Sequence, residues 1–163
     1  MSTLAELRNI LAVNKTIAVV GLSPQWHRPS FFAAKYMLAH GYRIVPVNPT
    51  ASDILGQACY PDLGAAAEAL ALQGDRIDMV DCFRRSEDMG PIAQAAIAIG
   101  ARCLWQQIGV VNQEAAALAR AAGLQTVMDR CVKIEHARLF GGLGWFGVNT
   151  GVISARRPQQ LPY

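Results

Sequence analysis

The side chains best suited to chemistry sit where apolar runs give way to turns. Residues 16–20 end in Gly21-Leu22-Ser23, and Arg28-Pro29-Ser30 opens the helix-forming stretch that follows. Gly21 permits a sharp turn, Ser23 offers a hydroxyl and an amide, and a helix starting there presents unpaired N–H groups and a dipole that favours an anion. Arg28 can hold a phosphate through two parallel N–H bonds. Together they make a phosphate-holding turn. The plain alternative is a Gly21 that only turns the chain and an Arg28 that is a solvated loop charge.

The turn lacks the fingerprint of ordinary dinucleotide binding, because G-x-G-x-x-G needs three glycines and only Gly21 is present. The next run, residues 43–47, ends in Asn48-Pro49-Thr50, with no carboxylate before Asp53. Sites for NAD place an acid there to accept hydrogen bonds from the adenosine ribose. Its absence suits a ribose that already carries a phosphate, at the 2′ position as in NADP or the 3′ position as in coenzyme A. Asn48 reads equally well as a ligand contact and as the start of a turn that Pro49 continues. A third run, residues 77–83, leaves through Phe83-Arg84-Arg85, an aromatic able to cover an adenine and a guanidinium able to reach phosphate. Either Phe83 or Arg84 is expected at the ligand, with Arg85 in solvent; a buried Phe83 with both arginines solvated is the alternative.

Short aliphatic runs alternating with longer periodic segments position these residues, a pattern that predicts a parallel sheet covered by helices on both faces. Residues 3–13 place Leu4, Leu7, Ile10 and Leu11 on one helical face. Strands are expected at 16–20, 43–47, 77–83, 102–106 and 125–128, with a weak edge strand at 57–60. Helices are expected from 29 or 30 to 40, from about 63, from about 86 to 100, from 112 to 123 and over 132–140, with Ser30 able to cap the first of these. The fold class is α/β, a doubly wound Rossmann-like sheet of about six strands in the order 3-2-1-4-5-6, three layers deep. In such a sheet the ligand lies at the carboxyl ends of the strands, where the order reverses beside the first.

The 163 residues read as one domain, 52% hydrophobic and 17% charged. Fifteen basic residues against twelve acidic ones leave a net charge of +3, dispersed apart from the pairs Arg84-Arg85 and Arg156-Arg157, which speaks against a nucleic-acid surface. No apolar run reaches the roughly 20 residues of a membrane span, and the start lacks a secretory pattern. A soluble cytoplasmic protein with reduced cysteines is expected, since Cys59, Cys82, Cys103 and Cys131 form no C-x-x-C pair. Cys131 with Glu135 and His136 raises a cysteine nucleophile or a metal site, but a spacing of five puts Cys131 and His136 on different helical faces. No metal site and no catalytic set is expected.

In order and spacing, Gly21-Leu22-Ser23, Arg28-Pro29-Ser30, Val47-Asn48-Pro49, Asp81-Cys82-Phe83-Arg84-Arg85-Ser86 and Ile108-Gly109-Val110 resemble the stand-alone CoA-binding domain proteins of bacteria. Met128-Asp129-Arg130-Cys131, Gly144-Trp145 and Asn149-Thr150-Gly151 extend the resemblance over nearly the whole chain. These proteins are similar to the nucleotide-binding domain of the succinyl-CoA synthetase α subunit. The resemblance implies coenzyme A as ligand, with Gly21, Ser23, Arg28, Ser30, Asn48, Pro49, Phe83 and Arg84 as candidate contacts. With no second domain to supply a phosphohistidine and no ATP-grasp partner, CoA-ligase activity is not expected. The implied role is binding of CoA or acyl-CoA by a carrier or sensor, with a homodimer left open. The alternatives are a small NADP-dependent oxidoreductase, against which the missing glycines and a missing Tyr-x-x-x-Lys pair count, and an interaction subunit using the apolar segment 143–148.

Overall fold

The apolar runs become strands almost residue for residue. In a computed structural model, which describes residues 2–141, the strands are β1 (Thr16–Val20), β2 (Arg43–Val47), the short β3 (Asp53–Ile54) and β4 (Gln57–Ala58), β5 (Met79–Cys82), β6 (Cys103–Gln106) and β7 (Gln125–Val127). The helices are α1 (Leu4–Val13), α2 (Pro29–Ala39), α3 (Leu63–Ala71), α4 (Met89–Ala98), α5 (Gln113–Ala121) and α6 (Val132–Phe140). Five strands pair in parallel in the order β2-β1-β5-β6-β7, so the order reverses beside β1 as the sequence pattern requires.

The outermost strand is smaller than expected. β4 pairs antiparallel with β3, and only Tyr60 joins the main sheet, as a parallel bridge to Val47. Tyr60 donates its N–H to the Pro46 carbonyl at 3.0 Å and accepts from the Asn48 N–H at 2.9 Å. Pro46 has no N–H to extend this pairing, and Asp62 already caps α3 through the Ala65 N–H. The order 3-2-1-4-5-6 therefore survives with its third strand shrunk to one residue.

Side chains alternate across the sheet and build two cores. One face packs Ala18, Val80, Cys82 and Leu104 against α3, α4 and α5. The other packs Ile17, Val19, Met79 and Trp105 against α1, α2 and α6. Leu7, Ile10 and Leu11 of α1 are buried there, each stabilising by roughly 1.5–3 kcal/mol, while Leu4 is half exposed. Thr3 and Glu6 form a reciprocal capping box at the start of α1. Ser30 does not cap α2; Arg28 holds that position without a side-chain bond, and the buried Ser30 hydroxyl turns back to the preceding loop. All four cysteines are free. No helix among the described residues is long and apolar enough to cross a membrane. The segments 143–148 and Asn149-Thr150-Gly151, with Arg156-Arg157, lie outside the described residues.

Candidate functional site

Gly21 is fixed by the sheet on both sides. Its N–H donates to the Val47 carbonyl at 3.0 Å, while the neighbouring Val20 carbonyl accepts from the Phe83 N–H at 2.9 Å. Its φ is +83°, and a Cβ there would lie 2.4 Å from the Phe83 carbonyl oxygen. Only glycine satisfies both the left-handed backbone and the close approach. The turn thereby brings the ends of β1, β2 and β5 to one edge.

A cleft of about 710 Å³ opens at that edge, within the roughly 300–1,000 Å³ of small-molecule sites. Gly21, Ser23, Asn48, Pro49 and Arg84 line it. Pro91, Ile92 and Ala95 of α4 give it an apolar wall, and Pro61 and Asp62 border it at the start of α3. A second cleft of about 550 Å³ lies between the ends of β5 and β6, walled by Phe83, Ile108, Gly109 and Val110, and it shares Arg84 and Asp88 with the first. Arg28 and Ser30 line neither cleft; they stand at the start of α2, on the far side of the Gly21 turn.

The polar groups divide into those already engaged and those left open. The Ser23 N–H donates to the Ser30 hydroxyl at 3.0 Å, and the Ser23 hydroxyl accepts from the Gln25 N–H. Asn48 donates to the Leu22 carbonyl at 3.0 Å and accepts from the Thr50 N–H and hydroxyl, tying the end of β2 to the turn after β1. Arg28 is exposed and makes no ion pair among the described residues, at a helix N-terminus that carries no side-chain cap. Three acids also face the cleft, and each is occupied: Asp62 caps α3, Glu87 meets Arg85, and Asp88 is met by both Arg84 and Arg85. Arg85 is 74% exposed, as the sequence suggests.

The residues that raised a cysteine nucleophile are placed elsewhere. Burial pushes the Cys131 thiol up from its ordinary value, outweighing the N–H groups of Lys133 and Ile134 at the start of α6. Glu135 is buried between Arg130 and Arg138 and anchors α6. The His136 ring shares a hydrogen bond with the Tyr36 hydroxyl at 3.1 Å, and no hydrogen bond joins it to Cys131 among the described residues. Nor do three metal-ligating side chains gather anywhere among those residues.

Sequence reasoning missed Pro61, Asp62, Glu87, Asp88, Pro91 and Ile92. Their types signal helix starts, and only the crossovers that place α3 and α4 beside β1 bring them to the cleft. Asp81 it named only within the resembling segment 81–86, with no role, and the structure buries that side chain in the middle of an otherwise apolar strand.

A doubly wound parallel sheet with its cleft at the switch point is a three-layer α/β fold of Rossmann type. The chain belongs to the family described as the CoA binding domain, whose model matches residues 15–137. It is 39% identical over 133 residues to the protein YneT of Bacillus subtilis strain 168, covering 82% of this chain and 93% of YneT. Among solved structures it is similar to a hypothetical protein from Pyrococcus horikoshii OT3, at 38% identity and a TM-score of 0.77, over 86% of this chain and 94% of that one. A protein from Thermus thermophilus follows at 30% identity and a TM-score of 0.75, over 85% of this chain and all of its own.

Proposed function

We propose that the chain binds coenzyme A or an acyl-CoA at the switch-point cleft and acts as a carrier or sensor rather than a catalyst. One observation carries the reading: the cleft is bordered by a β2 end that offers Asn48-Pro49 where NAD sites offer a carboxylate, and the turn after β1 ties that end, through Leu22 and Ser23, to an uncapped helix start whose Arg28 makes no ion pair among the described residues. No β2 carboxylate opposes a phosphorylated ribose at that end. The apolar wall of Pro91, Ile92 and Ala95 is suited to an adenine, and Gly21, Ser23 and Arg84 to the phosphates, with Arg28 outside the cleft as a further cation that a long polyanionic ligand could reach. The pairing of Asp88 with two arginines lowers the negative charge that a polyanionic ligand would otherwise face. Coenzyme A supplies a thiol that can carry an acyl group; these residues supply its binding and orientation. The raised Cys131 thiol and the engaged His136 ring support a role without covalent chemistry.

Thermal unfolding with CoA, 3′-dephospho-CoA, NAD and NADP at matched concentrations tests this reading. A ligand that binds only the folded state adds about 2.7 kcal/mol of stability at a hundredfold excess over its Kd. CoA is expected to raise the midpoint most and dephospho-CoA less. A shift with NADP and none with CoA overturns the assignment in favour of the oxidoreductase reading.

A further inference from the structure

Asp81 lies on β5, the central strand, between Val19 of β1 and Trp105 of β6 in register, and is 1% exposed. Its Oδ1 accepts a 2.7 Å hydrogen bond from Nε2 of Gln107, itself 3% exposed, and no ion pair reaches it among the described residues. A buried carboxyl whose side-chain partner is a neutral amide is stable only while it carries a proton, or while its surroundings admit water. Gln107 is the first residue of the loop after β6. Its N–H reaches the Cys82 carbonyl at 3.4 Å, its carbonyl accepts from the Val110 N–H at 2.9 Å, and the intervening Ile108 and Gly109 wall the second cleft with Val110. At its first residue the cleft wall is thus tied by a side chain to the Asp81 carboxyl, while Asp129 and Ser86 hold it further along through Gly109 and Val111.

We infer that Asp81 is a positioning residue that couples protonation to ligand binding: with its proton it sits in the dry, closed site beneath the Ile108-Gly109-Val110 wall, and without it the buried charge draws in water and loosens that wall. The Gln107 bond by itself favours the charged form, and burial opposes it. This inference rests on the proposed binding of CoA at the joined clefts. Burial pushes the Asp81 carboxyl up to about 7, against the lowering effect of the Gln107 and Cys82 hydrogen bonds. The titratable groups around it are thiols: Cys82 on its own strand, Cys103 on β6 and Cys131 at the start of α6, all raised by burial and by Asp81 itself. β1 presents the apolar Val19. Near neutral pH the carboxyl is thus the group in this cluster that changes charge.

The test compares wild type with Asp81→Asn, which keeps an oxygen to accept from Gln107 but cannot ionise, and with Gln107→Met, which cuts the link. CoA affinity is measured calorimetrically from pH 6 to pH 8. The phosphates of CoA titrate alike against all three proteins, so differences between profiles isolate Asp81. Wild-type affinity is expected to fall relative to both variants above neutrality, toward the limit of about tenfold per pH unit set by one proton. Parallel profiles overturn the coupling. If none of the three binds CoA, the binding reading fails and amide exchange in the ligand-free protein decides the coupling instead. Exchange at Ile108, Gly109 and Val110 that rises with pH more steeply in wild type than in Asp81→Asn supports it. Equal slopes overturn it.

Discussion

Two loops flank the candidate site, and they are built in opposite ways. The loop after β6 is bound at nearly every residue: Gln107 to Asp81, the Gly109 N–H to Asp129 at 2.8 Å, the Val111 N–H to the Ser86 hydroxyl at 2.9 Å, and Gln106 to Asn112 through two bonds. Among the described residues the loop after β1 is tied to the rest of the fold only at its root, through Asn48 to Leu22 and Ser23 to Ser30, and further out it bonds within itself, the Gln25 N–H to the Ser23 hydroxyl and the Arg28 N–H to the Gln25 carbonyl. Beyond Ser23 it is exposed, with Trp26 71% accessible and its ring set only against His27. One wall is formed before any ligand arrives. The other carries an exposed indole and an arginine with no ion pair among the described residues, and its ordering is the expected consequence of a bound ligand.

The comparison breaks most visibly at the root of the open loop. Gly21→Ala should cost about 3 kcal/mol or more, combining roughly 1–2 for left-handed backbone with the overpacking of Cβ against the Phe83 carbonyl. Gly41→Ala is the control, because Gly41 has φ +87° with nothing within 4 Å of a Cβ, so only the backbone cost of roughly 1–2 kcal/mol remains. Urea unfolding of both measures the difference. Further out on the open loop, Arg28→Ala should leave stability within about 0.5 kcal/mol but weaken CoA binding by about 1.5–3 kcal/mol, or roughly 10- to 100-fold, by calorimetry. Equal loss of stability and binding would place Arg28 in the scaffold.

On the bound wall the order should invert. Asn112 caps α5 through the Ala115 N–H and also donates to the Ser86 carbonyl, so Asn112→Ala should cost about 1–2 kcal/mol by urea unfolding and speed amide exchange across 107–112. Smallest of all is an effect remote from both loops. Burial, then His40 and Lys15, hold the His136 pKa below its ordinary value. As pH falls through about 6.5 the unfolded chain takes up a proton that the folded chain refuses, so stability present above that pH is lost below it. His136→Phe should flatten this part of the acid profile in unfolding measured at pH 7 and pH 5, without changing CoA affinity.

Much of this contrast was legible in the sequence at the level of elements. β1 and β2 and the helix at 132–140 follow the expected bounds, because aliphatic runs and helix stops at Gly41, Gly100 and Gly123 act locally. The weak edge strand at 57–60 was legible in place but not in extent, because its shortening depends on Pro46 facing it from another strand. At the site, Gly21, Ser23, Asn48, Pro49 and Arg84 come together as the turn pattern implies. Which polar groups remain open could not be read, since Ser30 looks like a cap in sequence and becomes the partner of Ser23 only once the loop folds back. Asp81 within Met79–Cys82 is the same kind of case: its meaning comes from Gln107, 26 residues away.

Amide hydrogen exchange at pH 6.5, with and without saturating CoA, compares the two walls directly. CoA is expected to slow exchange across residues 22–30 and 48–50 strongly, and across 107–112, where the hydrogen bonds already exist, only slightly. No protection at the loop after β1, or protection confined to a surface away from the clefts such as α1 and α6, would contradict a ligand held at the Gly21 turn.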